Sequence, residues 1–279
     1  MKRFTREQFL SLLHQMVREK NPILMAGAAN GLVAKFMEKG GIDIIGVYNS
    51  GLYRMNGYGS LSGMLPIGNA NEVIYEMGTR NILPQVKEKP VIAGVNLGDI
   101  TMDMYTFLKS LVDAGFAGVH NFPTVAWFDG IFRQTLEETG LGFNLEIEGL
   151  KIAKDIGLVT FGYAFNEEDT AWLVREAQPD VFVFHAGITR GGSTGVKTTK
   201  GMEDTVQHTQ ANFEIAKKYK SDIILLAHGA ALAEPEDARH IIEHTDAMGV
   251  QLGSGIERLA VEVPLMERTQ AFKTKMAGK

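Results

Sequence analysis

Along the chain, short runs of Ile, Val, Leu and Phe alternate with longer segments whose apolar residues recur at helical spacing. Strands buried on both faces read as short continuous apolar runs, and the helices that cross between them read as amphipathic, so the alternation predicts a parallel sheet with helical crossovers. Eight runs fit the strand pattern: PILMAG (22–27), IDIIGVY (42–48), PVIAGVN (90–96), FAGVH (116–120), LVTFGYA (158–164), DVFVFHAG (180–187), DIILLAHG (222–229) and MGVQLGSG (248–255). MYTFLKSLVDAG, EEDTAWLVREAQ, QANFEIAKKYK and PEDARHIIEHT read as helices between them. Eight βα units in 279 residues predict an α/β fold, the TIM (β/α)8 barrel, for which roughly 250 residues is typical; a doubly wound open sheet is the competing arrangement.

Two segments add to that frame. In residues 1–20, Thr5 and Gln8 form a capping box, and Phe9, Leu12, Leu13 and Met16 follow at helical spacing, which predicts an extra N-terminal amphipathic helix docked on the barrel. Residues 260–279 carry an apolar stripe ending in a basic turn and predict a C-terminal helix packed outside it. No Pro/Ser-rich linker or shift in composition marks a boundary, so 1–279 reads as one domain. The connections 49–70 and 121–157 are longer than crossovers need, and the second holds two helices; long loops on a rigid scaffold tend to carry function.

Composition narrows the function. The net charge of −5 and the lack of a dense Lys/Arg run argue against nucleic acid as the main partner and leave a small metabolite. No apolar run approaches the length that spans a bilayer, so no membrane partner is expected and the protein is read as cytoplasmic. With no cysteine, the sequence excludes disulfides, thiolate metal sites and cysteine nucleophiles.

A barrel builds its site at the C-terminal ends of its strands. Those ends here read Tyr48-Asn49-Ser50-Gly51, Asn96 with Asp99, His120-Asn121, Tyr163, His185, His228-Gly229 and Gly253-Ser254-Gly255. Three of the seven histidines close a strand at the same end of the sheet. Each alone reads as a core ring satisfied by the backbone; together they point to a shared pocket, since imidazole suits proton transfer and carbonyl polarisation near neutral pH. Strand alternation sends His120 and Asn121 in opposite directions, so one of the two faces the pocket. Arg54, in the Gly-rich segment 49–64, offers a guanidinium fork for a carboxylate or phosphate. GSGIERL after the eighth run offers backbone amides at a helix start, where anions bind, and a plain tight turn is its other reading. GGSTGVKTTK (191–200) lacks the order and spacing of a nucleotide loop and reads as a loop near the site. Glu146 and Glu148 begin a helix, where a first-turn acid makes a favourable dipole contact. Asp99 is the one carboxylate at a strand end, and no HExxH or paired-acid motif is present, so no metal ligands are assigned.

NSGLYRMNGYGSLSGMLPIGNAN, HNFPTVAWFDGIFRQTLEETGLG, FHAGITRGG, LLAHGAALAEPEDA and GSGIERL resemble the phosphoenolpyruvate hydrolase-like family of TIM barrels. That family is similar to the C-terminal part of a plant tobamovirus-resistance protein and falls within the phosphoenolpyruvate mutase/isocitrate lyase superfamily. The resemblance covers about residues 20–273, with departures at Asn69 and in HGAAL. It implies a barrel acting on small 2-oxo acids or enolpyruvates, with Mg²⁺ as the cofactor held by carboxylates after strands three and four, and a homo-oligomer made through the C-terminal region. Asn96, Asp99, His120 and Asn121 occupy the metal positions here, so most of the acidic cluster is missing.

Two functions follow as expectations. The first is a lyase or hydrolase of a small anionic 2-oxo or 3-oxo acid or enol phosphate. His185 or His228 moves a proton, with Asn121 and His120 as further catalytic candidates; Asn49, Ser50, Gly51, Arg54, Asn96, Asp99, Tyr163, Gly229, Gly253 and Ser254 surround the substrate. The second is a barrel that kept the anion pocket without the chemistry, as a metabolite sensor or partner-binding subunit.

Overall fold

Each of the eight apolar runs forms a strand, and the strands close on themselves. The computed structural model describes residues 2–197 and 201–277. In it β1 (Ile23–Gly27), β2 (Ile44–Val47), β3 (Val91–Val95), β4 (Gly118–Asn121), β5 (Val159–Ala164), β6 (Val181–His185), β7 (Ile224–His228) and β8 (Gly249–Leu252) make a parallel barrel in sequence order. Pairing of β8 with β1, from Ile23 opposite Gly249 to Ala26 opposite Leu252, excludes the open sheet.

The crossovers are helical. α1 (Arg6–Arg18) precedes β1, and α2 (Gly31–Lys39) joins β1 to β2. The long second connection carries α3 (Asn49–Met55) and α4 (Ala70–Met77), so α3 starts where the strand's apolar run ends. α5 (Met104–Ala114) leads to β4, α6 (Gly130–Glu138) and α7 (Phe143–Asp155) to β5, and α8 (Glu167–Ala177) to β6. α9 (Met202–Tyr219) and α10 (Pro235–His244) flank β7, and α11 (Leu259–Met276) follows β8. The Thr198–Lys200 end of the GGSTGVKTTK segment and the last two residues of the expected C-terminal helix lie outside the described residues.

Strand alternation sorts the apolar side chains into two cores. Ala26, Ile45, Ala93, Val119, Phe182 and Leu225 face outward into the layer beneath the helices. Met25, Ile44, Ile92, Phe161, Val183 and Leu226 fill the barrel. Phe9, Leu13 and Met16 of α1 belong to the inner core, so α1 plugs the end opposite the strand C-termini. Its capping box forms as expected, with Gln8 N donating to Thr5 Oγ1 at 3.2 Å and Thr5 N to Gln8 Oε1 at 3.1 Å. Leu12, expected in the buried stripe, is only half-buried. Arg6 fastens the plug by a two-armed bond to Asp180 at 2.6 and 2.5 Å. With one end filled, the open space lies at the other.

α11 does not join this packing. None of its residues is buried, and Leu265, Met266 and Phe272 are exposed. The outer face of β1 and β8 between α2 and α10 is left as apolar grooves with Leu24, Ile42, Leu252 and Ile256 in their walls. Among the described residues, no helix is long and apolar enough to cross a membrane.

Candidate active site

Continuing the inward alternation past the apolar layers brings Tyr48, His120, Tyr163, His185, His228 and Gln251 to the top of the barrel. Tyr48 lies across the interior because three inward positions are glycine. A Cβ at Gly94 or Gly46 would stand 2.2 or 2.4 Å from its ring, and one at Gly27 would stand 3.4 Å away. These small residues clear room for a phenol that spans several strands. The Tyr48 hydroxyl lies 2.9 Å from His120 Nδ1 and accepts from Gln251 Nε2 at 3.2 Å. Gln251 Nε2 also donates to the Tyr163 hydroxyl, and Tyr163 stacks on His120 with 3.7 Å between ring centroids. Tyr48, Tyr163 and Gln251 therefore make a floor over His120.

Above it is a cavity whose walls include Ser50, Arg54, Ser60, Leu61, Phe122, Trp127, His185, Thr189, His228, Gly253 and Ser254. Its volume is about 50 Å³. One water needs about 10–15 Å³, so the space suits a ligand of a few heavy atoms.

The two histidines on its wall are register partners on adjacent strands, and their rings meet edge to face with 4.3 Å between centroids. Their tautomers are opposite. His228 Nδ1 lies 2.5 Å from the Gln251 carbonyl, which can only accept, so Nδ1 carries the proton and Nε2 is a bare acceptor. His185 Nδ1 accepts from the Gly187 amide at 3.1 Å, so its proton sits on Nε2. Burial holds the rings uncharged: His228 is pushed down to about 4, with Arg54 adding to the effect. Burial also holds His120 and His185 well below the usual histidine range, and His228 beside them adds to it.

Arg54 is the one formally charged residue of the lining, and it is not the free fork expected. Its Nε and Nη2 both donate to Glu257 Oε2, at 2.6 and 2.5 Å. Only Nη1 is left toward the cavity, 3.0 Å from Ser50 Oγ and 3.4 Å from Ser60 Oγ. Ser60 Oγ lies 3.4 Å from Ser254 Oγ. An anion would meet one guanidinium arm and three hydroxyls.

Of the candidates read from sequence, the structure brings together Ser50, Arg54, Tyr163, His185, His228, Gly253 and Ser254 around the cavity. It leaves the others elsewhere. Asn121 faces away from the barrel interior: its Nδ2 donates to Glu146 Oε2 at 2.8 Å and its Oδ1 accepts from the Tyr163 amide at 2.7 Å, so it locks β4 to β5. His120 lies under the floor and does not line the cavity. Asn49 is bonded to the Gly63 carbonyl at 2.9 Å, and Gly51 is packed against Ala29 and Glu257. Asn96 is held through its backbone by Asn71, while Asp99 closes a local turn onto Thr101. Gly229 lines nothing, yet a Cβ there would come within 3.0 Å of the His185 ring. After β8, Glu257 N donates to Gly253 O at 3.0 Å and Arg258 N to Ser254 O at 3.1 Å, a turn of helical spacing ahead of α11 that keeps Gly253 and Ser254 in the cavity wall. Glu146 stands in the first turn of α7 as read, and it is also buried, accepting from Asn121 and from the Val125 amide at 2.7 Å, and burial pushes it up to about 7.

The sequence reading placed Tyr48 at a strand end without a role, and missed Gln251, Ser60, Phe122, Trp127 and Glu257. Two signals were present: an amide in the middle of the apolar run GVQL, and glycines at inward positions of three strands. The long-range pairing of Arg54 with Glu257 left none.

Mg²⁺, implied by the fold relatives, does not fit these residues. The cavity wall holds no carboxylate, Asn121 and Asp99 are committed elsewhere, and among the described residues no cluster of three metal-ligating side chains exists.

The sequence model of the family described as phosphoenolpyruvate hydrolase-like matches residues 8–275. The chain belongs to this family. It is 43% identical over 270 residues to the ToMV resistance protein Tm-1(GCR237) of Solanum lycopersicum, covering 96% of this chain and 36% of that protein. The chain thus spans about a third of the length of the tomato proteins it matches. Among solved structures it resembles a phosphonopyruvate hydrolase complexed with oxalate and Mg²⁺, with a TM-score of 0.61, 14% identity, and 98% and 88% of the two chains covered. It also resembles 2,3-dimethylmalate lyase, a member of the PEP mutase/isocitrate lyase superfamily, with a TM-score of 0.58, 17% identity, and 99% and 89% covered. At these identities the likeness is one of fold.

Burial of a neutral histidine carries a pH signature. The folded pKa of His228 lies below its unfolded value near 6.5, so its share of stability is present above that value and is lost as pH falls toward 4. Relative to His228→Gln, the wild type is expected to lose about 2 kcal/mol between about pH 7.5 and pH 5 in urea unfolding. An equal pH response in both proteins would mean that His228 is not held neutral.

Proposed function

We propose that the protein is a lyase or hydrolase of a small anionic oxo acid or enol phosphate, acting in the cavity at the C-terminal end of the barrel. The observation that carries this reading is the pair of opposite Nδ1 contacts, which leave one Nε2 bare and the other bearing hydrogen, beside the Arg54 arm that meets Ser50 and Ser60.

Each group has a task set by its chemistry. Arg54 Nη1 with Ser50, Ser60 and Ser254 holds the anionic end of the substrate. His228 Nε2, bare in the empty cavity, moves a proton to or from the substrate. His185 Nε2–H donates to the carbonyl oxygen and follows it as it gains enolate charge, a role suited to a ring that cannot itself become charged at neutral pH. Phe122, Trp127 and Leu61 keep bulk water from these groups, which strengthens them. The family and the fold of enzymes handling related acids support this reading. Against chemistry, and for the second reading of a metabolite sensor, stands the absence of any carboxylate in the cavity wall.

Turnover followed by NMR over a panel of phosphoenolpyruvate, oxaloacetate, pyruvate and larger oxo acids, with and without Mg²⁺, separates the two. Under the enzyme reading, His228→Ala and His185→Ala, folded by circular dichroism, each lose about 10²–10⁴-fold in rate. Gly253→Ala weakens binding instead, because its methyl would lie 3.8 Å from His228 and 3.9 Å from Arg54 Nη1, filling the space between them without a clash. Full activity in both histidine variants would refute the assignment, and tight binding without product across the panel would make the protein a sensor.

We also propose that the chain is a homo-oligomer, supported by the exposed apolar residues of α11 and the uncovered face of β1 and β8. Sedimentation should show a multimer that Leu265→Glu with Phe272→Glu dissociates; a monomeric wild type would refute it.

A further inference from the structure

We propose that the cavity takes a small monoanion with a single acidic group, and that binding draws in one proton, held on His228 Nε2 against the ligand. The inference rests on the cavity being the ligand site, as read above, and goes on to its substrate class and the charge state of the complex.

The argument begins with charge. Arg54 is the one charged residue of the wall, and the Glu257 carboxylate that accepts two of its donors is fully buried, so the pair sums to zero. The remaining polar groups of the wall, the three serines, Thr189, Tyr48, Tyr163, Gln251 and the two imidazoles, are neutral. A charge taken from water into such a place is costly unless something in it changes sign, and a second charge on the same ligand is costlier. The one charged donor of the cavity sits in a single cluster. Ser50, Ser60, Ser254 and Arg54 Nη1 cluster together, whereas Leu61, Met64, Ile188 and Leu252 offer nothing to another acidic group. One acidic group has a charged partner here; a second has none.

His228 is the group that can supply the missing charge. Its Nδ1–H stays bonded to the Gln251 carbonyl when Nε2 gains a proton, so the cation keeps its existing partner. His185 lacks that freedom, because its Nδ1 already faces the Gly187 amide and a proton there would set two donors against each other. His120 is below the floor with Nδ1 on Tyr48. His228 faces the His185 ring from β6, Tyr163 at 5.8 Å from β5, the Gln251 carbonyl from β8 and Arg54 from α3. Arg54 opposes its protonation in the empty cavity, and an anion lodged between the two cations reverses that opposition.

Calorimetric titration with pyruvate, in phosphate and in Tris at about pH 7, reads the proton count from the difference in heat. Uptake of one proton is expected, with the pyruvate Kd rising about tenfold per pH unit between about pH 6 and pH 8. Oxalate, a dianion, is expected to bind at least tenfold more weakly with or without Mg²⁺, and His228→Gln to flatten the pH dependence for pyruvate. A pH-independent wild-type Kd, oxalate tighter than pyruvate, or an unchanged slope in His228→Gln would each overturn the inference while leaving the cavity as the ligand site. Failure of every panel acid to bind would overturn the site reading and this inference with it.

Discussion

The buried pair of Arg54 and Glu257 is the constraint on which the top of this barrel depends. It joins α3, at the end of β2, to the turn after β8, and so ties the two strands on either side of β1. It also turns the guanidinium so that one arm alone reaches the cavity. Removing either partner would leave a buried charge unpaired, which is among the costliest changes a protein interior can undergo. Because the pair sums to zero, what the empty cavity presents is the direction of its hydrogen bonds and two neutral imidazoles.

Those hydrogen bonds are set by the strands themselves. The Gln251 carbonyl and the Gly187 amide belong to the backbone, and they impose opposite tautomers on two rings that the β6–β7 register places side by side. Catalytic rings are often oriented by a carboxylate. Here the barrel's own peptide groups do it, which allows a site with proton-transfer capacity and no acid in its wall.

The fold was legible because apolar runs and helical spacing report burial directly, and all eight runs became strands. The site was legible where it depended on strand position: His185, His228 and Tyr163 end strands on the inward parity. It was not legible where parity was ambiguous or partners were remote. Asn121 and His120 stand next to each other, and the sequence could not say which turns inward; the outward one became a strand lock and the inward one sank beneath Tyr48 and Tyr163. Glu146 is the first-turn acid it was read as, but nothing local reveals that its turn packs on β4. Arg54 looked free because its partner is 203 residues away. Tyr48 was legible as a strand end but not as a floor, because its room is made by Gly27, Gly46 and Gly94, each unremarkable on its own strand.

The claim on which the rest stands is the opposite, uncharged state of the two cavity rings, and long-range ¹⁵N–¹H correlation of the histidine side chains measures it directly. Near neutral pH the account predicts the proton of His228 on Nδ1 and that of His185 on Nε2, with neither ring cationic. The same tautomer in both rings, or a cationic shift pattern in either, would contradict it.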